Sequence, residues 1–136
     1  MKTSCVIILK KKQNYLLQLR DNKKKVLERN QWGFFGGQKS KYESKLSCIK
    51  REIQEELNFK IKYPKFVGQL KYKNYLINVF FMITKKNFFE INEGSAYGFY
   101  NKSQILKNNC KLKNSSKKYS VAKSSLKVFK YFLKNI

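Results

Sequence analysis

The sequence has no histidine, only 8 Asp plus Glu against 31 Lys plus Arg, 3 cysteines, and no long apolar run in its 136 residues. Each scarcity excludes something. Without imidazole there is no Ser/His or Cys/His nucleophilic machinery and no histidine to complete a zinc site. Any hydrolysis must therefore use carboxylates, lysine or a metal. The apolar run over residues 5–9 is too short to cross a bilayer, and the one over 75–83 is interrupted by Asn78. With Lys2 directly after Met1, neither a signal peptide nor a membrane span is expected. Cys5, Cys48 and Cys110 are odd in number and far apart, the pattern of a reduced, cytoplasmic protein.

What is present argues for a folded chain. Apolar residues make up 42%, including 9 Tyr, 11 Phe and 1 Trp, too many for a disordered basic arm. The length suits one domain over residues 1–136. The net charge of +23 has two readings. It is either a Lys and Asn bias of the kind A-rich codons produce, or a field that draws in phosphates and nucleic acid. Only 3 of the basic residues are Arg, so sequence-specific base reading has little support. Half of the acids are Glu43, Glu52, Glu55 and Glu56, and none follows Glu93.

Residues 3–9 and 15–20 read as strands joined through a polar hairpin at 10–14. A Lys-rich segment, 21–30, leads to Trp32-Gly33-Phe34-Phe35-Gly36-Gly37, whose glycines mark a sharp turn or a close backbone approach. Ser40 and Glu43 have capping-box spacing, and Leu46, Ile49, Ile53 and Leu57 follow at helical intervals up to Asn58. Strands are expected at 66–72, 75–83 and 96–100, and a polar, mobile loop at 108–120. From about residue 120, Ala122, Leu126, Phe129, Leu133 and Ile136 form one stripe of an amphipathic C-terminal helix. Lys123, Lys127, Lys130 and Lys134 lie on another face.

On the first helix, Glu52, Glu55 and Glu56 fall within an arc of about 100°. Carboxylates so placed repel, and near a helix C-terminus they oppose the macrodipole, so positive charge must offset them. A divalent cation with oxygen ligands would do this; surrounding lysines are the alternative.

The wider spacing resembles the Nudix box, G-x5-E-x7-R-E-U-x-E-E-x-G-U, through Gly37, Glu43, Arg51, Glu52, Ile53, Glu55, Glu56 and Phe59. A chance match is on the order of one in a million. The segment from Trp32 to Gly37 is similar to the loop that enters the box, and residues 15–21 to its preceding strand. Asn58 stands where the box has Gly, Phe35 where many members have Pro, and Tyr42 where Gly is frequent.

The resemblance implies an α/β (α+β) fold, a mixed β-sheet sandwich flanked by helices. It also implies hydrolysis of a nucleoside diphosphate linked to another group with Mg²⁺ or Mn²⁺, the substrate being a nucleoside triphosphate or a modified one. Alternatives are removal of pyrophosphate from RNA 5′ ends and a catalytically silent, basic nucleic-acid-binding module. By the same resemblance Glu52, Glu55 and Glu56, with a carbonyl of Gly36 or Gly37, hold the metal. Glu55 is the base, with Glu52 its rival. Arg51 orients a carboxylate or the loop, and Glu93, ahead of Glu90, is a second carboxylate from a downstream loop. Glu43 is assigned to capping, with a loosely bound metal as the alternative. Trp32, Phe34, Tyr97 and Phe99 are the aromatics available to stack on a nucleobase.

Overall fold

The structure, a computed structural model, describes residues 1–20, 30–86, 96–113 and 115–136. β1 (Lys2–Lys11) turns through Lys12, at φ 54°, into β2 (Asn14–Leu19). The short strands β3 (Trp32–Gly33) and β4 (Phe35–Gln38) precede α1 (Lys45–Leu57). β5 (Lys65–Tyr72) and β6 (Tyr75–Ile83) form a hairpin turning at Lys73, φ 51°. β7 (Ala96–Asn101) enters α2 (Lys102–Leu106) through a capping box of Asn101 and Gln104. A ribbon of β8 (Cys110–Lys111) and β9 (Lys118–Tyr119) then leads to α3 (Lys123–Asn135).

β1 is the axis of the main sheet. It runs parallel to β6 along its length and antiparallel to β4 from Ser4 to Ile7 and to β2 at the hairpin end. β2 also pairs with β3 and β7, and β5 pairs with β6. Because side chains alternate across a strand, each strand feeds two cores. Cys5, Ile7, Leu9, Phe35 and Phe80 meet Cys48, Ile49, Ile53 and Leu57 of α1. On the opposite face Ile8, Leu17, Leu19, Phe34 and Val79 meet Val128, Phe129 and Phe132 of α3. Burying each such side chain favours folding by about 1.5–3 kcal/mol. The expected mixed sheet between helices is therefore found.

Four details differ from the sequence expectations. α1 starts at Lys45, because Ser44 caps it by accepting from Ser47 N–H at 3.0 Å; Leu46 is exposed and Cys48 takes its place in the buried stripe. The buried side of α3 is Ser125, Val128, Phe129 and Phe132, while Ile136 is exposed. The glycine segment contains two strands rather than a turn alone. Within 108–120 the ribbon is anchored. Cys110 is fully buried, its carbonyl accepts from Trp32 Nε1 at 3.1 Å, and Asn108 Oδ1 accepts from Val121 N at 2.6 Å. A polar composition hid these backbone anchors. Asn58, where the box has Gly, adopts the left-handed conformation (φ 48°, ψ 42°) and closes α1 through its N–H to Gln54 O, as a C-terminal Gly would.

Candidate active site

The carboxylates gather around one guanidinium. Arg51 Nη2 and Nε donate to the two oxygens of Glu43 at 2.7 and 3.0 Å, and Nη1 donates to Glu52 Oε1 at 3.0 Å. Nη1 also reaches Glu55 Oε2 at 3.3 Å, and Nη2 the Gln38 carbonyl at 3.3 Å. Arg51, a residue of the motif itself, thus supplies positive charge against three of its acids. Hydrogen bonds from Arg51 first, and from Ser40 N–H second, draw the Glu43 carboxyl down to about 2 from its ordinary 4.5. The carboxylates in turn hold Arg51 above its usual value, Glu43 most strongly.

Glu56 behaves differently. It is 3% exposed, and its oxygens accept from Gly36 N–H at 3.0 Å and from Gln18 Nε2 at 3.1 Å. A buried carboxylate needs such partners, and here they tie α1 to β4 and β2. Glu52 lies against Gly37, where a Cβ would stand 2.4 Å from its carboxylate carbon. At Gly36, with φ 154°, a Cβ would stand 2.0 Å from the Cys5 carbonyl. At Gly36 the neighbour is backbone, so only glycine fits, whereas a side chain at Gly37 would displace the Glu52 carboxylate.

On the α3 side of the same glycines lies a cleft of about 320 Å³. Val6, Phe34, Ile77 and Val128 line it, together with Tyr72 and Tyr75. Arg20, Ser124 and Ser125 supply polar groups. Arg20 lines the cleft, and its Nε is buried with no hydrogen-bond partner among the described residues. Lys73 and Lys127 ammoniums lie 5.5 Å from the Tyr72 ring centre, and Lys2 lies 6.0 Å from that of Tyr75, within cation–π range. Gly36, Gly37 and Gln38 line this cleft too, so it opens directly onto the strand that carries the carboxylate contacts.

The donor set suits a hard divalent cation. Glu52 and Glu55 offer carboxylate oxygens with 13% and 51% side-chain exposure. Glu56 is a third carboxylate beside them, and the glycine carbonyls are oxygen donors as well. Among the described residues no three acids or cysteines converge into a ready cage, because Arg51 stands among them.

The model of the NUDIX domain family matches residues 1–95. The chain belongs to that family. Among solved structures it is similar to a MutT protein from Methanosarcina mazei Go1 at 17% identity, with 98% of this chain and 93% of that one covered and a TM-score of 0.79. A MutT NUDIX hydrolase from Burkholderia pseudomallei matches at 16% identity over 96% of both chains, TM-score 0.72. The NUDIX domain of Shewanella oneidensis NrtR, solved in complex with ADP ribose, matches at 14% identity, covering 97% of this chain and 86% of that one, TM-score 0.73. No curated protein matches by sequence. No helix among the described residues is long and apolar enough to cross a membrane.

Within the Nudix box, Arg51 contacts both Glu52 and Glu55, and Glu56 accepts from Gly36 N–H. Glu43 precedes α1. It accepts from Ser40 N–H at 2.9 Å, but its main partner is Arg51 rather than the helix end. The aromatic candidates divide. Trp32 is fully buried with its indole N–H engaged, so it has no free face for a base. Phe34 lines the cleft. Tyr97 and Phe99 pack on the α1 face instead, and Tyr97 stands opposite Gln18, the residue that holds Glu56. Glu90 and Glu93 lie outside the described residues. Sequence reading missed Arg20, Tyr72, Tyr75 and Ser125. Arg20 ends the strand before the box, which was the available signal.

Proposed function

We propose that this chain is a Nudix-type pyrophosphohydrolase cleaving a nucleoside diphosphate linked to another group, a nucleoside triphosphate or modified triphosphate foremost, with Mg²⁺ or Mn²⁺. The observation that carries the reading is the meeting, across Gly36 and Gly37, of a cleft with aromatic walls and a carboxylate edge. The cleft takes the nucleoside, with Tyr72 and Tyr75 offering ring faces and Arg20 an N–H donor. Glu52, Glu55 and Glu56, with a carbonyl of Gly36 or Gly37, hold the metal. When bound it neutralises phosphate charge and lowers the pKa of the attacking water.

Glu55, the most exposed of the three, accepts the water proton, and Arg51 keeps Glu52 and Glu55 in place. Oxygen from water adds to one phosphorus, the anhydride P–O bond breaks, and the bridging oxygen leaves on the departing phosphate. Glu93 is the second carboxylate that the family resemblance assigns downstream of the box. ADP ribose bound by the NrtR domain is a compound of the proposed class, a nucleoside diphosphate bearing a further group. The test is phosphate and pyrophosphate release from nucleoside triphosphates, oxidised nucleotides, nucleotide sugars and triphosphorylated RNA, with Mg²⁺ and with chelator. Metal-dependent release supports the reading; silence across the panel in Mg²⁺ and Mn²⁺ overturns it.

A further inference from the structure

A second concavity, about 390 Å³, lies on the other side of Arg51, between α1 and the segment at 58–63. Its walls carry Lys50, Lys60 and Lys62 together with Gln54 and Tyr63, and no acid. The segment is pinned from below: Ile61 is 2% exposed, in the α1 core, and Asn58 Oδ1 accepts from Gln54 Nε2 at 2.8 Å. Lys60 and Lys62 flank that anchor and are exposed, and the Tyr63 ring is 90% exposed. Arg51 also lines this concavity, but its guanidinium is held by Glu43, Glu52 and Glu55, so the attraction for an anion comes from the three lysines.

The two concavities flank one edge. Gln38 lines the cleft, its carbonyl accepts from Arg51, and Arg51 lines the second concavity. A substrate whose nucleoside occupies the cleft and whose anhydride lies over the carboxylates would send its other arm past Arg51 onto the lysines. We propose that this basic concavity is a leaving-arm site that selects substrates whose linked group itself carries phosphates. The proposal rests on the pyrophosphohydrolase reading for its place in catalysis. Lysines bind phosphate as point charges, and no acid stands among the residues lining this concavity to offset them.

The experiment compares a dinucleoside tetraphosphate with a nucleotide sugar as substrates of the wild type, of the Lys60→Gln/Lys62→Gln double variant, and of Lys130→Gln/Lys134→Gln. The last pair removes the same charge from the exposed side of α3. Loss of charge-assisted hydrogen bonds is expected to raise KM for the tetraphosphate about tenfold in the Lys60/Lys62 variant, with the nucleotide sugar unchanged. The Lys130/Lys134 pair should leave both unchanged. Equal effects on both substrates, or an equal effect from the control pair, would reduce the concavity to part of the general basic surface.

Inorganic tripolyphosphate, titrated by calorimetry in the presence of chelator, reads the site without turnover. Binding weakened by Lys60→Gln/Lys62→Gln but not by Lys130→Gln/Lys134→Gln supports the site, and indifference to the Lys60/Lys62 pair overturns it. If no substrate is turned over, the pyrophosphohydrolase reading fails while this titration still decides the anion site.

Discussion

Arg51 and Glu43 are joined by two parallel hydrogen bonds, at 2.7 and 3.0 Å, so the first acid of the motif is fastened to its arginine before α1 begins. The same guanidinium reaches Glu52, Glu55 and the Gln38 carbonyl. A planar fork makes these contacts together, whereas an ammonium presents one point charge. Arg51→Lys should therefore keep the charge and still lose much of the activity, with an accompanying drop in Tm. Wild-type rates in this variant would show that charge alone suffices.

The Glu43 carboxyl has a folded-state value of about 2 against an ordinary 4.5. A depressed acid stabilises the fold above its unfolded value, and that contribution disappears as pH falls through the folded one. Melting followed between pH 4.5 and about 2, with chelator present, should show a steeper loss for the wild type than for Glu43→Gln. Parallel curves would remove Glu43 as a source of acid sensitivity.

A methyl group at Gly37 would collide with the Glu52 carboxylate, 2.4 Å from the Cβ position. Gly37→Ala should reduce activity by about 10–100-fold, the range for disturbing the support of a metal ligand, while the chain still folds. Retained activity would mean that Glu52 is free to move without consequence.

Glu56→Gln tests a buried ligand with little change of shape. The new amide can keep its oxygen on Gly36 N–H, and Gln18 can turn its own amide to accept, so both contacts survive in a neutral form. Activity should fall steeply with only a small Tm shift. Glu56→Leu, which leaves both donors unpaired, should lose about 1–3 kcal/mol for each. A fully active Glu56→Gln variant would remove Glu56 from the site.

Arg20→Gln removes a cleft-lining guanidinium whose Nε is buried without a partner among the described residues. KM for the preferred nucleotide should rise about tenfold, the equivalent of one charge-assisted hydrogen bond, with kcat less affected. An unchanged KM would place the substrate elsewhere.

The carboxylate edge was legible because it is local. Glu52, Glu55 and Glu56 share a helix, and Gly37 and Glu43 stand at fixed distances before it. The division of labour within that edge was not, because Glu56 is buried by Gln18 and Gly36, which arrive from β2 and β4. The cleft was less legible still. Tyr72 and Tyr75 come from a hairpin, Ser125 from α3 and Arg20 from the end of β2, and only the sheet register brings them together. The aromatic candidates are divided for the same reason, with Phe34 alone of the four lining the cleft. Tyr97 and Phe99 alternate onto the α1 face, and Trp32 is locked between the Ser120 carbonyl, the Ala122 N–H and Cys110, far along the chain. Capping chemistry misled in one place: Ser40 and Glu43 do bond, but Ser44, one residue before the helix, is the cap.

The most direct measurement is pyrophosphate-bond hydrolysis by the wild type and by Glu52→Gln, side by side, on the best substrate of the panel with Mg²⁺ and with chelator. If Glu52 holds the metal, the wild type turns over only with metal and not with chelator, and a Glu52→Gln variant that retains the wild-type fold loses most activity. Turnover by the variant at the wild-type rate, or by the wild type in chelator, would contradict it.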